Sequence, residues 1–247
     1  MTLLFIFLLH IGAAAAAFYI SDWTIFIVSF VAWYQLSHLF GLSIVYHKLF
    51  SHRSFVPKTG VAELGTLINI LSFKGTPDVY ALIHRIHHRH SDTDLDPHTS
   101  KDQWYRGYFG ILFPNKILEK FSPREKRDFV KDVYVDFRWV KQLTFKAQLA
   151  LLIVFYTTIF IIDQNLLAGV LCGSVVSIHI GLMINLFGHR KVNSNMVTVN
   201  RPWIAAWFGP SFNHNYHHTY PRSYHEAGPG RFELASWLIK NFLSKSA

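Results

Sequence analysis

The stretch that decides the fold is LLFIFLLHIGAAAAAFYISDWTIFIVSFVAWYQLSHLFGLSIVY, residues 3–46. It is largely apolar, and the polar pair Ser21-Asp22 divides it into two arms. Each arm has close to the roughly 20 residues that a helix needs to cross a bilayer. A cleaved signal peptide would begin with positive charge and would not be followed at once by a second span. The run therefore predicts a transmembrane hairpin over residues 1–46.

A second stretch repeats this pattern. Residues 147–162 and 166–187 are apolar and are separated by Asp163-Gln164-Asn165. They predict a second transmembrane hairpin over residues 144–187, and thus four transmembrane helices in all. The chain has 247 residues, of which 51% are hydrophobic, so we expect one membrane domain over residues 1–247.

The placement of positive charge predicts the orientation in the membrane. All 24 Lys and Arg residues lie within 48–146 and 190–247, and neither hairpin turn carries one. The positive-inside rule then places both turns outside and the polar segments 47–143 and 188–247 in the cytoplasm, as one helical cap. A bacterial inner membrane and the endoplasmic reticulum both fit this topology.

Composition excludes several classes of protein. Charged residues make up only 16% of the chain, although the net charge is +9, and basic nucleic-acid-binding domains carry far more Lys and Arg. The single cysteine, Cys172, excludes an intrachain disulfide and a cysteine-based zinc site.

Two segments of the cap carry local signals. The run VAELGTLINILSF, residues 61–73, is too short to span, so we expect it to lie at the interface or to dip in and return. In FSPREKRDF, Ser122, Pro123 and Glu125 have the types and spacing of a helix N-cap, first turn and capping box.

Histidine is the anomaly of this chain, with 15 residues concentrated in three clusters. Positions i, i+3 and i+4 of a helix share one face, so a His-x-x-His-His unit suits two adjacent metals better than one. A further candidate, in NLFGHR, sits where the fourth predicted span ends. The candidate ligands are His47 and His52 of HKLFSH, His84, His87 and His88 of HRIHH, His214, His217 and His218 of HNYHH, and His189.

The spacing within HKLFSH is awkward for a regular helix. His47 and His52 are five residues apart, which is about 140° of rotation on an α-helix. Either the helix ends near Leu49, or the two rings serve different metals.

Other histidines fit plainer roles. We expect His10, His38, His179 and His225 to be packing residues, and His90 and His98 to have loop or supporting roles. Nine clustered imidazoles are too many for one structural zinc, which closes with four ligands. Two ions with open positions suit iron that activates O₂. No Glu-x-x-His occurs in the chain, which argues against a carboxylate-rich di-iron bundle.

The three motifs HKLFSH, HRIHH and HNYHH, in this order, resemble the histidine boxes of membrane fatty acid desaturases, and most closely the acyl-CoA (stearoyl-CoA) desaturase type. DPH at 96–98 and HNYHHTYP at 214–221 fit that branch. So does Asn185, four residues before His189. The sequence departs from the animal enzymes at Leu82-Ile83, just before the second motif.

The resemblance implies an all-α, multi-pass membrane protein whose cytoplasmic cap holds a histidine-rich di-iron site. It implies that the nine histidines above bind two Fe ions, with Asn185 acting through a water. We expect Asp94, Asp96 and His98 to support the ligands from behind. Trp104 and Tyr105 are candidate walls of the substrate tunnel, with plain packing as the alternative.

The implied reaction is O₂-dependent insertion of a cis double bond into the acyl chain of an acyl-CoA or a membrane lipid. No His-Pro-Gly-Gly haem signature and no cysteine set for an iron–sulfur cluster occur, so electrons would come from a separate cytochrome b5 or ferredoxin. Two alternatives stay open from the residues alone. One is a membrane hydroxylase or oxygenase with the same site, and the other is a metal transporter or haem-binding membrane protein.

Overall fold

The computed structural model describes residues 3–99, 104–112, 115–192, 195–228 and 230–245. Most of this part of the chain is helical. The helices are α1 Leu3–Ala17, α2 Trp23–Tyr34, a π-helix Gln35–Ser51, α3 Val61–Leu71, α4 Pro77–His90, α5 Trp104–Phe109, α6 Asn115–Leu118, α7 Pro123–Asp136, α8 Phe145–Ile162, α9 Gln164–Gly188, α10 Pro202–Phe208, α11 His214–Thr219 and α12 Leu234–Leu238, with a short π-helix Ile239–Leu243 and 3₁₀ turns at Gly110–Leu112, Arg138–Gln142 and Pro210–Phe212.

Helices form on both sides of each predicted turn, but α1 is short. The α2 helix continues without a break into the π-helix, so that Trp23–Ser51 is one apolar rod of 29 residues. This rod, α8 and α9 are long and apolar enough to cross a membrane. The 15 residues of α1 span about 22 Å, against the roughly 30 Å of a hydrocarbon core. The fourth crossing therefore remains a prediction.

The turns of the two hairpins lie side by side. The side-chain oxygen Oδ1 of Asn165 accepts hydrogen bonds from the backbone N–H groups of Ser21 and Asp22, at 2.9 and 3.0 Å. Asp22 and Asp163 cap the N-termini of α2 and α9 with their carboxylates. Both turns are therefore at the same end of the helix bundle, as the charge pattern requires.

Close packing of α2 against α9 depends on a glycine. A Cβ atom on Gly169 would contact Oγ of Ser29 and would lie 2.8 Å from the carbonyl oxygen of Phe26 and from the backbone N of Phe30. Only a residue without a side chain lets the two helices approach this closely.

The run at 61–73 forms α3, which packs along the π-helix and α8 and does not span. Gly65 of α3 lies directly against Val45 of the π-helix. The Tyr156 hydroxyl of α8 donates to the carbonyl oxygen of Leu71 at the end of α3, at 2.8 Å. The helix is therefore a buried support for the rod that carries the first histidine motif.

The α7 helix begins as its sequence predicts. Ser122 is the N-cap, Pro123 occupies the first turn, and the Ser122 and Glu125 side chains make both hydrogen bonds of a capping box. The same helix presents Asp132 to Arg85 of α4, whose guanidinium nitrogens lie 2.6 and 2.9 Å from the carboxylate. This ion pair joins α7 to the helix that bears the second histidine motif.

The all-α expectation is wrong at one place. Residues His189–Val192 and Asn195–Thr198 form two short antiparallel strands, β1 and β2. The backbone leaves the helical region at His189, whose φ and ψ are −112° and 141°. His189 therefore follows the end of α9 directly, as its sequence position predicts, and it is also the first residue of β1.

We predict that Gly169→Ala destabilises the bundle, because the new methyl group would force α2 and α9 apart. Overpacking of this kind costs about 1–3 kcal/mol. The measurement is the thermal midpoint of the purified protein in detergent. Gly12→Ala in α1 is the matched control, since the nearest heavy atom to its added Cβ is 3.9 Å away. Equal midpoints for the two variants would contradict the prediction.

Candidate metal centre

The π-helix resolves the awkward spacing of His47 and His52. A π-helix bonds residue i to residue i+5, so side chains five apart lie nearly above one another. The backbone N–H of His52 donates to the carbonyl oxygen of His47 at 3.2 Å, which is this pattern. The helix therefore does not end near Leu49, since it continues to Ser51, and the centroids of the two rings lie only 4.9 Å apart.

Arg85 fixes the end of the π-helix. Its guanidinium donates to the backbone carbonyls of Phe50 at 2.6 Å and of Ser51 at 2.8 Å. These carbonyls lie where a helix leaves acceptors without an internal partner. The Arg85 side chain thereby holds the π-helix in register with α4, one residue away from His84.

A first cluster joins the first, second and third histidine motifs. The rings of His47, His52, His84 and His217 each offer one nitrogen, and these atoms all lie within 4.8 Å of one another. Nε2 of His52 lies 2.8 Å from Nε2 of His84, and Nε2 of His47 lies 3.1 Å from Nε2 of His217. All four residues are buried.

A second cluster uses the other histidines of the same helices. His87, His189, His214 and His218 also bring one nitrogen each within 4.8 Å of the rest. Each His-x-x-His-His unit thus supplies both clusters, as the helical spacing predicts. His88 lies between them, with its Nε2 atom 2.9 Å from Nε2 of His217 and its ring stacked on His218 at 4.2 Å.

Gly188 makes room for the second cluster. A Cβ atom at this position would lie 2.5 Å from Cγ of the His214 ring and 2.9 Å from its Cβ. Any side chain here would displace a ring that belongs to the second cluster, so the last residue of α9 must be small.

Carboxylates hold the outer nitrogens of the rings in the second cluster. Nδ1 of His87 lies 2.9 Å from a carboxylate oxygen of Asp96, and Nδ1 of His189 lies 2.8 Å from one of Asp92. Asp94 is exposed, and its backbone carbonyl accepts from Lys120. The supporting place expected for Asp94 is therefore taken by Asp92, because the tight turn at 92–96 points alternate carboxylates inward and outward.

His98 lies behind the second cluster. Its ring is buried and packs on the His87 ring with centroids 4.1 Å apart, and its backbone N–H donates to Asp96 at 3.0 Å. Neither of its ring nitrogens has a hydrogen-bond partner among the described residues. The structure thus places Asp96 and His98 together against one ring.

A buried ion network stands behind the first cluster, and sequence reasoning missed it. One carboxylate oxygen of Glu226 lies 3.3 Å from Nδ1 of His47, 3.5 Å from Nδ1 of His217 and 3.0 Å from the Lys48 ammonium. Glu233 pairs with the same ammonium at 3.0 Å. Burial alone would raise the pKa of the Glu226 carboxyl, but Lys48 and His47 outweigh it and the pKa is lowered. No local signal marks Glu226, which lies in a turn-rich loop.

Five rings of the two clusters, those of His84, His87, His214, His217 and His218, are neutral near pH 7. Burial lowers the pKa of His84, His87, His214 and His217 well below the ordinary value, and repulsion between neighbouring rings lowers it further. The pKa of His218 is lowered, mainly by burial, to about 4. Neutral imidazole is the form that binds metals.

The contacts of the outer ring nitrogens indicate that the clusters fit cations. A neutral ring that donates from Nδ1 to a carboxylate has a lone pair on Nε2. His87 and His189 make this contact with Asp96 and Asp92, and Nε2 of His189 lies 3.0 Å from Nε2 of His214. Carboxylates behind metal-binding histidines commonly fix the tautomer and ring orientation in this way. The donor set is nitrogen only, as expected for a transition metal.

A cavity of about 740 Å³ opens beside the clusters and extends between the helices. Asn185 is buried on its wall, one helical turn before His189. Trp104 and Tyr105 are 64% and 45% exposed and are not among the residues that line it. The substrate contact expected of these two aromatics is therefore not what the structure shows, because α5 turns both rings outward. The ring-bearing and polar wall residues nearest the clusters are His47, His84, His214, His217, Asn185 and Tyr80.

The histidines that were expected to pack within the spans lie away from the clusters. Nε2 of His10 and Nε2 of His179 lie 2.9 Å apart, between α1 and α9. The Tyr108 hydroxyl lies 2.5 Å from Nδ1 of His179. His38 contacts the Ser177 carbonyl at 3.4 Å. These contacts join helices in an apolar environment, in agreement with the packing role.

Comparison with known proteins agrees with this arrangement. Residues 21–229 match the fatty acid desaturase family. An sn-1 stearoyl-lipid 9-desaturase of Anabaena variabilis is 29% identical over 226 residues, which cover 86% of this chain and 78% of that protein. Stearoyl-CoA desaturase 5 of Homo sapiens is 25% identical over 248 residues, covering 94% and 74%. Delta-9 acyl-lipid desaturase 2 of Arabidopsis thaliana is 25% identical over 217 residues, covering 85% and 68%.

The histidine clusters, the apolar helices and this match define the class: the chain belongs to the fatty acid desaturase family. It is an oxidoreductase that acts on fatty acyl chains.

We predict that Asp96→Asn weakens metal retention by about 10- to 100-fold, the usual cost of losing a carboxylate behind a histidine ligand. The amide cannot hold the Nδ1 proton of His87 as strongly as the carboxylate does. The measurement is metal content after dialysis against graded chelator. Asp94→Asn is the matched control on the same turn, and a comparable loss there would contradict the assignment of Asp96.

Proposed function

We propose that this protein is an O₂-dependent fatty acyl desaturase that inserts a cis double bond into a saturated acyl chain at a pair of iron ions. The single observation that carries the proposal is that two clusters of largely buried imidazoles lie beside one large, mostly apolar cavity, which His47, His84 and His217 of the first cluster and His214 of the second line directly. A cavity of this kind suits a hydrocarbon chain. The family match supports the reaction class.

Each ion would have its own set of rings. His47, His52, His84 and His217 would hold one iron, and His87, His189, His214 and His218 would hold the other. His88 lies between the clusters and would complete one of them, and Asn185 would act through a water. When bound, the irons and O₂ supply the oxidising power that removes two hydrogens from an unactivated chain, with reduction of O₂ to water.

The protein's own residues would position the chain and exclude water. His47, His84 and His217 of the first cluster and His214 of the second line the cavity, so that a chain threading the cavity would pass beside rings of both clusters. Below them the wall is made of apolar side chains such as Leu42, Ile83 and Leu182. Correct seating beside the reactive centre is the protein's main contribution to such a reaction.

Asp92, Asp96 and Glu226 would act as positioning residues. Each carboxylate holds a ring by its outer nitrogen, so that the inner nitrogen keeps its lone pair. This fixes both the tautomer and the direction of the ring.

The acyl carrier and the electron donor are the remaining partners. Relatives named as a stearoyl-lipid desaturase and as a stearoyl-CoA desaturase each match most of this chain. We therefore propose an acyl chain carried by CoA or by a membrane lipid. Two electrons per turnover would come from a separate carrier, either cytochrome b5 or a ferredoxin. The segments 48–146 and 190–247 hold all the basic residues, and they would attract an acidic carrier.

The topology completes the proposal. We infer four crossings, with α1 as the short fourth, and a cytoplasmic cap formed by 47–143 and 188–247 within one domain of residues 1–247. The paired turns at Ser21-Asp22 and Asn165, which lack positive charge, support their placement outside.

The first test is fatty acid profiling in a host that expresses the protein. We expect a new monounsaturated fatty acid that disappears in His84→Ala and persists in His90→Ala, a matched control on the same helix. Gas chromatography with mass spectrometry measures both the product and its double-bond position. A hydroxylated product in place of an alkene would move the assignment to a hydroxylase, and an unchanged His84→Ala product would contradict the site.

Metal analysis tests the cofactor independently of activity. We expect two irons per chain in protein purified without chelator, because each cluster has its own ligand set. His52 belongs to the first cluster and His189 to the second. His52→Ala and His189→Ala should therefore each lower iron retention, at different clusters. Zinc as the retained metal, or one ion per chain, would be inconsistent with the di-iron proposal.

A further inference from the structure

A half-buried lysine, Lys74, lies in the wall of the cavity. Lys74 follows α3, and its ammonium donates to the Ser37 carbonyl at 2.6 Å and to the Ser177 hydroxyl at 2.6 Å. A third, longer contact at 3.3 Å reaches the Ser37 hydroxyl. Ser37 is in the π-helix and Ser177 is in α9, so the Lys74 side chain bridges these two helices.

Within the part of the chain that the structure describes, the hydrogen-bond acceptors of this ammonium are all uncharged oxygens. Burial lowers the pKa of Lys74 well below its ordinary value, which is the expected result for an amine without a nearby carboxylate. A buried amine in this situation is costly to keep, so a role beyond simple packing is needed to account for it.

The lining of the cavity stops at the level of this bridge. On the π-helix, the described lining residues run from His47 back to His38, and on α9 they run from Asn185 back to Ile178. One turn further on, the helices contact each other directly, because the Trp33 indole N–H donates to the Ser174 hydroxyl at 2.7 Å. The bridge therefore stands at the closed end.

The distance from the bridge to the clusters follows from the helix. Ser177 and Asn185 are eight residues apart on α9, which corresponds to a rise of about 12 Å. An acyl chain that is oxidised beside Asn185 would therefore have a fixed distance for its methyl-side carbons between the oxidised position and Lys74.

We propose that Lys74 closes the distal end of the acyl cavity and thereby sets how many carbons fit between the oxidised position and the methyl terminus. This specificity role rests on the proposed desaturase function. The side chain acts by occupying space, and the two serines hold it in place across the gap between the π-helix and α9. Residues that only line the middle of the cavity would not limit chain length in this way.

The test compares Lys74→Ala, which removes the closing side chain, with Lys74→Met, which keeps a side chain of similar length. A host expressing each variant is supplied with saturated fatty acids of graded chain length, and the desaturated products are separated by mass spectrometry. Lys240→Ala, an exposed lysine on the cap, is the control.

We expect Lys74→Ala to shift the products toward longer chains, with more carbons on the methyl side of the double bond. Because each methylene that a closed apolar pocket accepts or rejects changes kcat/KM by about tenfold or more, the ratio of longer to shorter products should rise by that factor. Lys74→Met and Lys240→Ala should keep the wild-type ratio.

Three results would overturn the inference without touching the proposed function. The first is an unchanged product spectrum for Lys74→Ala beside an active wild type. The second is an equal loss of product from Lys74→Ala at every chain length, which would place the ammonium at the head-group end of the cavity. The third is a Lys74→Met spectrum identical to that of Lys74→Ala. If Lys74→Ala fails to accumulate, Ile178→Phe replaces it. Ile178→Phe fills the last part of the cavity and should favour shorter chains, and an unchanged spectrum would again contradict the proposal. If the wild-type protein itself gave no desaturated product, that result would count against the proposed desaturase function and not against the role of Lys74.

Discussion

One electrostatic constraint governs this protein: buried neutral imidazoles point their inner nitrogens at one another. His87 illustrates it, since Asp96 holds its outer nitrogen at 2.9 Å while its inner nitrogen lies 3.3 Å from that of His218. Lone pairs that converge in a buried space are favourable only around a cation. The surrounding fold can be understood as the means of holding these rings in that costly arrangement.

Several unusual local features serve this constraint. The π-helix brings His47 and His52 to one face, and a regular α-helix would not. Gly188 makes room for the His214 ring, and Arg85 ties the end of the π-helix to α4. Each feature carries a cost, in hydrogen-bond geometry, in backbone entropy or in the burial of charge, and each is found directly beside a cluster.

The clusters and the cavity are parts of one construction. Two helices, the π-helix and α9, carry His47 and Asn185 at one end of the cavity and Ser37 and Ser177 at the other. In the proposed mechanism, the position of oxidation and the length of the substrate would therefore be set by fixed distances along these two helices. Rigid elements of this kind give a site better precision than loops can.

The sequence by itself determined the elements with short-range causes. Apolar length and charge placement gave the hairpins and their paired turns, Ser122 and Glu125 gave the start of α7, and the spacing of HRIHH predicted a motif that feeds two clusters. Only the tertiary structure decided which rings meet, that Asp92 and not Asp94 contacts His189, that Glu226 reaches the first cluster, and that Lys74 lies in the cavity wall. The physical reason is that helical periodicity and capping depend on residues a few positions apart, whereas these contacts join segments far apart in the chain and depend on how the helices pack.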